Sequence, residues 1–377
     1  MASGQSGVAA LASDLRRSST DALLVGMVVF AACVFGSATR PAGLLAAIWP
    51  ANALLLGLML RNPRLATAPC WLAATLGYVV ADLAFGSALQ TSLLLTSGNM
   101  AGVAVGHGLI SRLHADDKRL RRPSSMLKLA WLTAAAAVAA ACCGAVMEPI
   151  LFGGDMLSGG TFWFASELVN YIALLPVVLT FPWRPMSPWS GEINPRRMSM
   201  NGLPAAALAV ACALSVVVGG PGAIAFPVPA LLWCALAYSM PAVAVLTLLF
   251  CAWTMIGIST GIFPVDPDFN SRHSLLSIRL GVTLIALAPL TLASVMIERN
   301  ELLARFRHLA THDPLTGVLS RGAFTERGAS LVEADGMEHA AALYTIDPQR
   351  GDFTVALSEI LDKDPQDETA LAVMVIQ

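Results

Sequence analysis

The sequence predicts an all-α polytopic bundle of membrane-spanning helices, eight to ten of them, followed by a helical stalk and a small α/β region. Three observations predict it. Apolar residues make up 56% of the 377-residue chain and charged residues only 13%, against about 45–50% and about 25% in an ordinary soluble domain; mean hydropathy is +0.67. The apolar excess is gathered into blocks close to the roughly 20 residues that cross a hydrocarbon core. Lys and Arg fall in alternate loops rather than evenly.

Residues 1–21 read as a cytoplasmic tail. Arg16 and Arg17 precede the first apolar block, but no short apolar region with a small-residue cleavage site follows, as a secretory signal requires. Ser18, Ser19 and Thr20 after the arginine pair also fit a twin-arginine signal poorly, so the block is expected to stay as a span. Spans are expected at 22–38, 43–60, 65–85, 88–109, 128–151, 162–180, 202–218, 222–240, 242–260 and 277–297. If all ten cross, one set of loops holds Arg16/Arg17, "RNPR", "SRLHADDKRLRRPSSMLK", "WRPMSPWSGEINPRR" and the C-terminal region, while the opposite set holds only Arg40 and Arg272. Positive charge stays on the cytoplasmic side, which puts both termini there. An eight-span arrangement with two re-entrant or interfacial segments keeps the termini together too. In "AIAFPVPALLWCALAYSM", Pro227 and Pro229 each remove a backbone donor, and a kink is expected.

Polar residues inside the apolar blocks are costly in lipid and usually face the bundle interior or a water-filled cavity. Trp49 and Asn52 in "IWPANALLLGLMLR", Asp82, Asn99, His107, Glu167 and Asn170 form a candidate sensor pocket. Glu167 and Asn170, at i and i+3, share one helix face. The plainer alternative is that Asn and His supply interhelical hydrogen bonds, with Asp82 and Glu148 near the outer surface. Cys33, Cys70, Cys142, Cys143, Cys212, Cys234 and Cys251 lie in or beside apolar segments without a C-x-x-C spacing, and read as small packing residues. No basic stripe with interleaved aromatics supports a nucleic-acid partner. No internal repeat or paired broken segments support transporter logic, although a transporter or scaffold remains open.

After the last span, Val295, Leu302 and Leu309 fall seven apart with Phe306 between them, in a charged setting. Residues 298–311 therefore read as a stalk that pairs with a copy of itself; a single juxtamembrane helix is the alternative. In 312–377, Asp313-Pro314 ends the stalk, Thr316-Gly317 marks a turn, and Ser320 caps a helix carrying Ala323, Phe324, Leu331 and Val332. "HAAALYTID" (339–347) and "DFTVAL" (352–357) read as strands.

At these residues "DPLTGVLSR" (313–321) resembles the D-x-L-T-G-L-x-N-R motif that opens GGDEF domains, the diguanylate cyclases, through Asp313, Leu315, Thr316, Gly317 and Arg321. Ser320 stands where that motif has asparagine. "IWPANALLLGLMLR", "GYVVADLAFG", "LTSGNMAGVAVGHGL", "FWFASELVNYIALLPVVLTFP" and "PALLWCALAYSMPAVAV" look like the membrane-associated sensor domain of the MASE class, here 22–297. The resemblance implies a multi-pass sensor in a bacterial inner membrane, driven by an unidentified small-molecule or protein stimulus. It also implies paired cytoplasmic domains that join two GTP into cyclic di-GMP with Mg²⁺.

The tail departs from that pattern where catalysis resides. The family's first metal-binding strand carries two aspartates, D-x-D; here Thr345 takes the first position and only Asp347 the second. A threonine supplies no anionic oxygen to Mg²⁺. No GGDEF or GGEEF occurs, and "QRGDFTVAL" (349–357) looks like a shortened remnant with one glycine and one acidic residue. The region after the stalk is also near the size, about 60 residues, at which domains become marginal. The expectation is an incomplete GGDEF-like domain with no catalytic, cofactor-binding or metal-binding residues in this chain, Mg²⁺ and GTP belonging only to an intact relative. The alternative is a working cyclase in a longer parent.

Overall fold

The computed structural model describes residues 2–39, 47–182, 195–263, 272–312, 320 and 322–323. Among them there are no strands. The helices are α1 (Ala2–Ala38), α2 (Ala51–Arg61), α3 (Ala68–Ala84), α4 (Leu89–Ile110), one-turn α5 (Ala115–Lys118), α6 (Ser125–Leu151), α7 (Met156–Thr180), α8 (Pro195–Val218), α9 (Val228–Ala237), α10 (Met240–Ser259) and α11 (Arg272–Thr311). Tight 3₁₀ turns occupy Pro63–Leu65 and Pro221–Ala225. The chain divides into two units, Met1–Glu298 and Arg299–Gln377.

Each of the ten expected blocks carries a helix, and among the described residues six are long and apolar enough to cross a membrane: Arg16–Ala38, Leu89–Ile110, Ser125–Leu151, Met156–Thr180, Met240–Ser259 and His273–Thr311. Six of the expected eight to ten spans therefore have full length there. Ala51–Arg61, Ala68–Ala84 and Gly222–Ala237 are shorter, and in the 24-residue α8 the apolar part is Gly202–Val218. Proline explains two of them. Pro50 and Pro227 take the N-cap positions of α2 and α9, where a missing N–H costs no helix bond. The expected kink at Pro227 and Pro229 is instead a helix start. Eleven residues of α2 rise only about 16 Å, against a core of about 30 Å.

The half-length α2 is nonetheless largely enclosed. Ala51, Asn52, Ala53, Leu55, Leu56, Gly57, Met59 and Leu60 are buried, and α1, α4 and α7 surround it. A Cβ on Gly57 would lie 2.6 Å from Val178 Cγ1, so α2 and α7 approach at a distance only glycine allows. The central α7 buries 78% of its apolar window. Its apolar residues surround the helix apart from Ser166, Glu167 and Asn170, which suits a helix with neighbours on several sides.

α11 buries one stripe, Arg279, Val282, Thr283, Ala286, Leu290, Ala293 and Ser294, at the spacing of a single helix face. Ser294 Oγ donates to the carbonyls of Leu120 at 2.8 Å and Arg122 at 3.2 Å. The loop that offers them is held by Asp117, which accepts from Ser125 Oγ at 2.9 Å and Lys128 Nζ at 3.0 Å. Burial pushes the Asp117 carboxyl up, but the bonds from Lys128 and Ser125 and the charges of Lys128 and Arg122 outweigh it, leaving it below its ordinary value.

In the second unit, Leu302, Leu303, Phe306 and Leu309 of α11 are exposed. Ser320 Oγ accepts the Ala323 N–H at 3.4 Å, the bond an N-cap makes. The residues of the expected opening motif, Asp313, Leu315, Thr316, Gly317 and Arg321, lie outside the described residues, as do the expected strands at 339–347 and 352–357 with Thr345 and Asp347.

Candidate functional site

The site lies where α2 begins. Starting the helix at Ala51 puts Asn52 in its first turn, fully buried. Its amide oxygen accepts from the Tyr78 hydroxyl of α3 at 2.6 Å. Its Nδ2 donates to Asn99 Oδ1 of α4 at 3.0 Å and to both carboxylate oxygens of Glu167 in α7, at 2.8 Å each. One side chain thus joins four helices. A turn along α7, Asn170 Oδ1 accepts the Trp49 N–H at 3.0 Å, and Asn170 Nδ2 donates to the Ser166 carbonyl at 2.7 Å. The i, i+3 pair on α7 therefore grips both sides of the α2 start.

α11 reaches the same place. Arg279, 6% exposed, donates to Ser166 Oγ, and its guanidinium carbon lies 4.6 Å from the centre of the Phe162 ring. The guanidinium and the Glu167 carboxylate attract one another. An isolated charge at this depth is expensive; opposite charges with a ring face beneath the cation reduce the cost. Around this network Trp49 Nε1, Thr96 Oγ1 and Tyr171 OH are buried with no hydrogen-bond partner among the described residues. A buried group left without a partner costs about 1–3 kcal/mol, so these three atoms are donors and acceptors available to water or to a ligand.

Of the sequence-derived candidates, the structure brings together Trp49, Asn52, Asn99, Glu167 and Asn170. Asp82 is buried one turn beyond Tyr78 on α3. His107 is half-buried and meets Trp71 edge-on at 6.0 Å, two turns along α4 from Asn99. Glu148 is buried where Gly154 and Gly159 close over it. Sequence reasoning missed Tyr78, Ser166, Tyr171, Phe162 and Arg279. Arg279 had a visible signal, an ionisable residue inside the apolar block 277–297. The tyrosines and Phe162 had none, since aromatics are ordinary in membrane helices. Among the described residues no three His, Cys, Asp or Glu side chains gather as a metal site would need. The arrangement can bind and orient; it offers no activated nucleophile.

Against this geometry stand the known relatives. The chain is 27% identical over 289 residues to the probable diguanylate cyclase DgcF of Escherichia coli O157:H7, covering 75% of this chain and 58% of that protein. It is 30% identical over 167 residues to the probable diguanylate cyclase DgcF of Escherichia coli strain K12, covering 44% of this chain and 50% of that protein. This chain is related to probable diguanylate cyclases. It spans about half the length of these curated relatives. No family model matches the chain, and no solved structure matches it. Only 66 residues follow Thr311, so a match of 289 residues must take in most of the helical bundle. What the chain shares with these relatives is therefore largely its apolar helices.

Proposed function

We propose that this chain is the membrane-sensing part of a cyclic di-GMP signalling protein of the GGDEF family. It sits in a bacterial inner membrane with both termini in the cytoplasm, in the sense set by its Lys- and Arg-rich loops. The stimulus, a small molecule or a protein segment, acts on the polar network of Asn52, Asn99, Glu167 and Asn170, and α11 carries the result through Arg279. The observation that supports this reading best is the similarity to probable diguanylate cyclases spread over the membrane helices, together with a buried charge on the helix that continues into the stalk. Exposed Leu302, Phe306 and Leu309 suit pairing of two stalks into a homodimer.

The tail of this chain makes no cyclic di-GMP in this reading, because it lacks the double glycine and the first metal-binding aspartate. Phosphoryl transfer depends on metal and positioning, and neither is provided for. The greater length of the relatives favours a second reading, a longer parent with an intact domain that converts two GTP into cyclic di-GMP.

Two experiments test the proposal. Purified chain in nanodiscs with GTP and Mg²⁺ or Mn²⁺ should yield no cyclic di-GMP; clear production overturns the inactive tail. Residues 1–311 fused to the intact cyclase region of the relative should give output that Arg279→Met or Glu167→Gln alters severalfold. Unchanged output from both variants, at equal expression, overturns the sensing role.

A further inference from the structure

A second feature of the bundle lies away from the polar network. Between the Pro221–Ala225 turn and the first turns of α11 is a half-open cavity of about 410 Å³, a volume within the roughly 300–1,000 Å³ range of small-molecule sites. Along α11 its lining includes His273, Ser277, Gly281 and Ile285, each four residues after the last. Residues at that spacing lie in a line on one helix face, here about 18 Å long. The line is polar at its start, has no side chain at Gly281, and is aliphatic at its end. Ile224 and Ile278 add to the apolar wall.

Gly281 sits in the middle of this line. Glycine weakens the middle of a helix relative to alanine, so it needs a reason there. At Gly57, Gly77 and Gly144 the reason is contact, since a Cβ would come within 2.3–2.7 Å of a neighbour. At Gly281, as at Gly108 and Gly202 in other helices, a Cβ would meet nothing within 4 Å, but of these three only Gly281 lines the cavity. Its missing side chain leaves the cavity open and brings no helix closer. Ser277 gives a second sign. Ser166, Thr254 and Thr283 each donate to a carbonyl one turn back. Ser277 is exposed and has no hydrogen bond among the described residues, leaving a donor at the polar end. With His273 beside it and the positive end of the helix dipole nearby, that end favours an acceptor or an acid.

We propose that this cavity binds a small aliphatic amphiphile with an acidic, hydrogen-bond-accepting head, such as a medium-chain carboxylate, its head at His273 and Ser277 and its chain lying over Gly281 toward Ile285. Arg279 lies on the other face of the same stretch of α11, so an occupant presses on the helix that joins the polar network. That consequence rests on the sensing reading above; the binding itself does not.

The test uses the full chain in nanodiscs, radiolabelled decanoate, and a photoreactive decanoate whose attachment is mapped by mass spectrometry. Binding should be saturable, and the label should fall between residues 273 and 285. Gly281→Phe, which fills the cavity from an uncrowded position, should weaken binding by at least roughly tenfold. Ser277→Ala, which disturbs no packing, should weaken it about threefold or more. Decylamine, with the same chain and a cationic head, should not compete. Absence of saturable binding, label on other helices, affinity unaltered by Gly281→Phe and Ser277→Ala, or equal competition by decylamine each overturns the proposal. So does a co-purifying phospholipid that excludes decanoate from the wild-type cavity. Failure here leaves the sensing role standing, because that role is read by Arg279→Met and Glu167→Gln in the fusion. Decanoate binding with unaltered output from those variants would overturn the sensing role alone.

Discussion

Replacing Asn52 with alanine removes, in one step, the side chain that hydrogen-bonds Tyr78, Asn99 and Glu167. The two neutral bonds are worth about 0.6 kcal/mol each by the average for interhelical hydrogen bonds in membranes. The bond to the carboxylate is worth more, about 1.5–3 kcal/mol, because Glu167 stays buried at 5% exposure. The expected loss is about 3–4 kcal/mol, or roughly 6–16 °C in Tm at about 2–4 °C per kcal/mol. Glu167→Ala removes the other side of the strongest bond, and the double variant should cost about 1.5–3 kcal/mol less than the sum of the two singles. The assay is thermal unfolding in a fixed detergent, read by tryptophan fluorescence for wild type, both singles and the double. A loss below about 1 kcal/mol for Asn52→Ala, or strict additivity, would show that the residues are neighbours without being a network.

Three further outcomes are expected. Gly144→Ala sets a Cβ 2.3 Å from Trp163 Cγ and should cost about 1–3 kcal/mol by overpacking, whereas Gly281→Ala meets nothing and should stabilise by about 0.5–1 kcal/mol; the same melting assay ranks them, and the reverse order refutes the packing. Arg279→Met should lower Tm less than Arg279→Ala, because the methionine fills the volume beside Phe162 that the truncation empties; equal losses would assign Arg279 no packing role. Asp117, held below its ordinary value of 3.8, stabilises the loop above that pH and loses its contribution as pH falls through its lower folded value. The protection factor of the Leu120 amide, which donates to the Asp117 carbonyl, should therefore stay high at pH 5, drop only below 3.8, and be low at both in Asp117→Asn.

The bundle was legible because apolar composition and charge segregation are direct consequences of the bilayer as solvent. Span length was less so. Hydropathy alone could not tell that Pro50 and Pro227 begin helices, because a proline inside a membrane helix is tolerated, as Pro149, Pro176 and Pro289 are here. The candidate pocket was legible through its cost: Asn52, Asn99, Glu167 and Asn170 are polar where polarity is expensive, and they meet. His107 satisfied the same rule and lies elsewhere, against Trp71, since the rule marks burial in protein without saying which helices face one another. Tyr78 and Phe162 could not be found by it, because their apolar bodies belong in a core and only the contact reveals the role.

Stability alone gives no reason to keep Arg279. A buried ion pair is often matched or bettered by hydrophobic residues of the same volume, and α11 has apolar residues on either side of it. In lipid, however, helices are not driven together by apolar burial, so an apolar stripe specifies the rotation of a helix only weakly. α11 is fixed by polar contacts near both ends of its buried stripe, Arg279 on Ser166 and Phe162 and Ser294 on the carbonyls of Leu120 and Arg122. Fifteen residues, about 22 Å, separate them. A turn of α11 about its axis breaks both anchors at once, while a change at Glu167 disturbs only the first. A helix held in this way has a defined resting orientation, and its Arg279 end is where a change at Glu167 acts on that orientation.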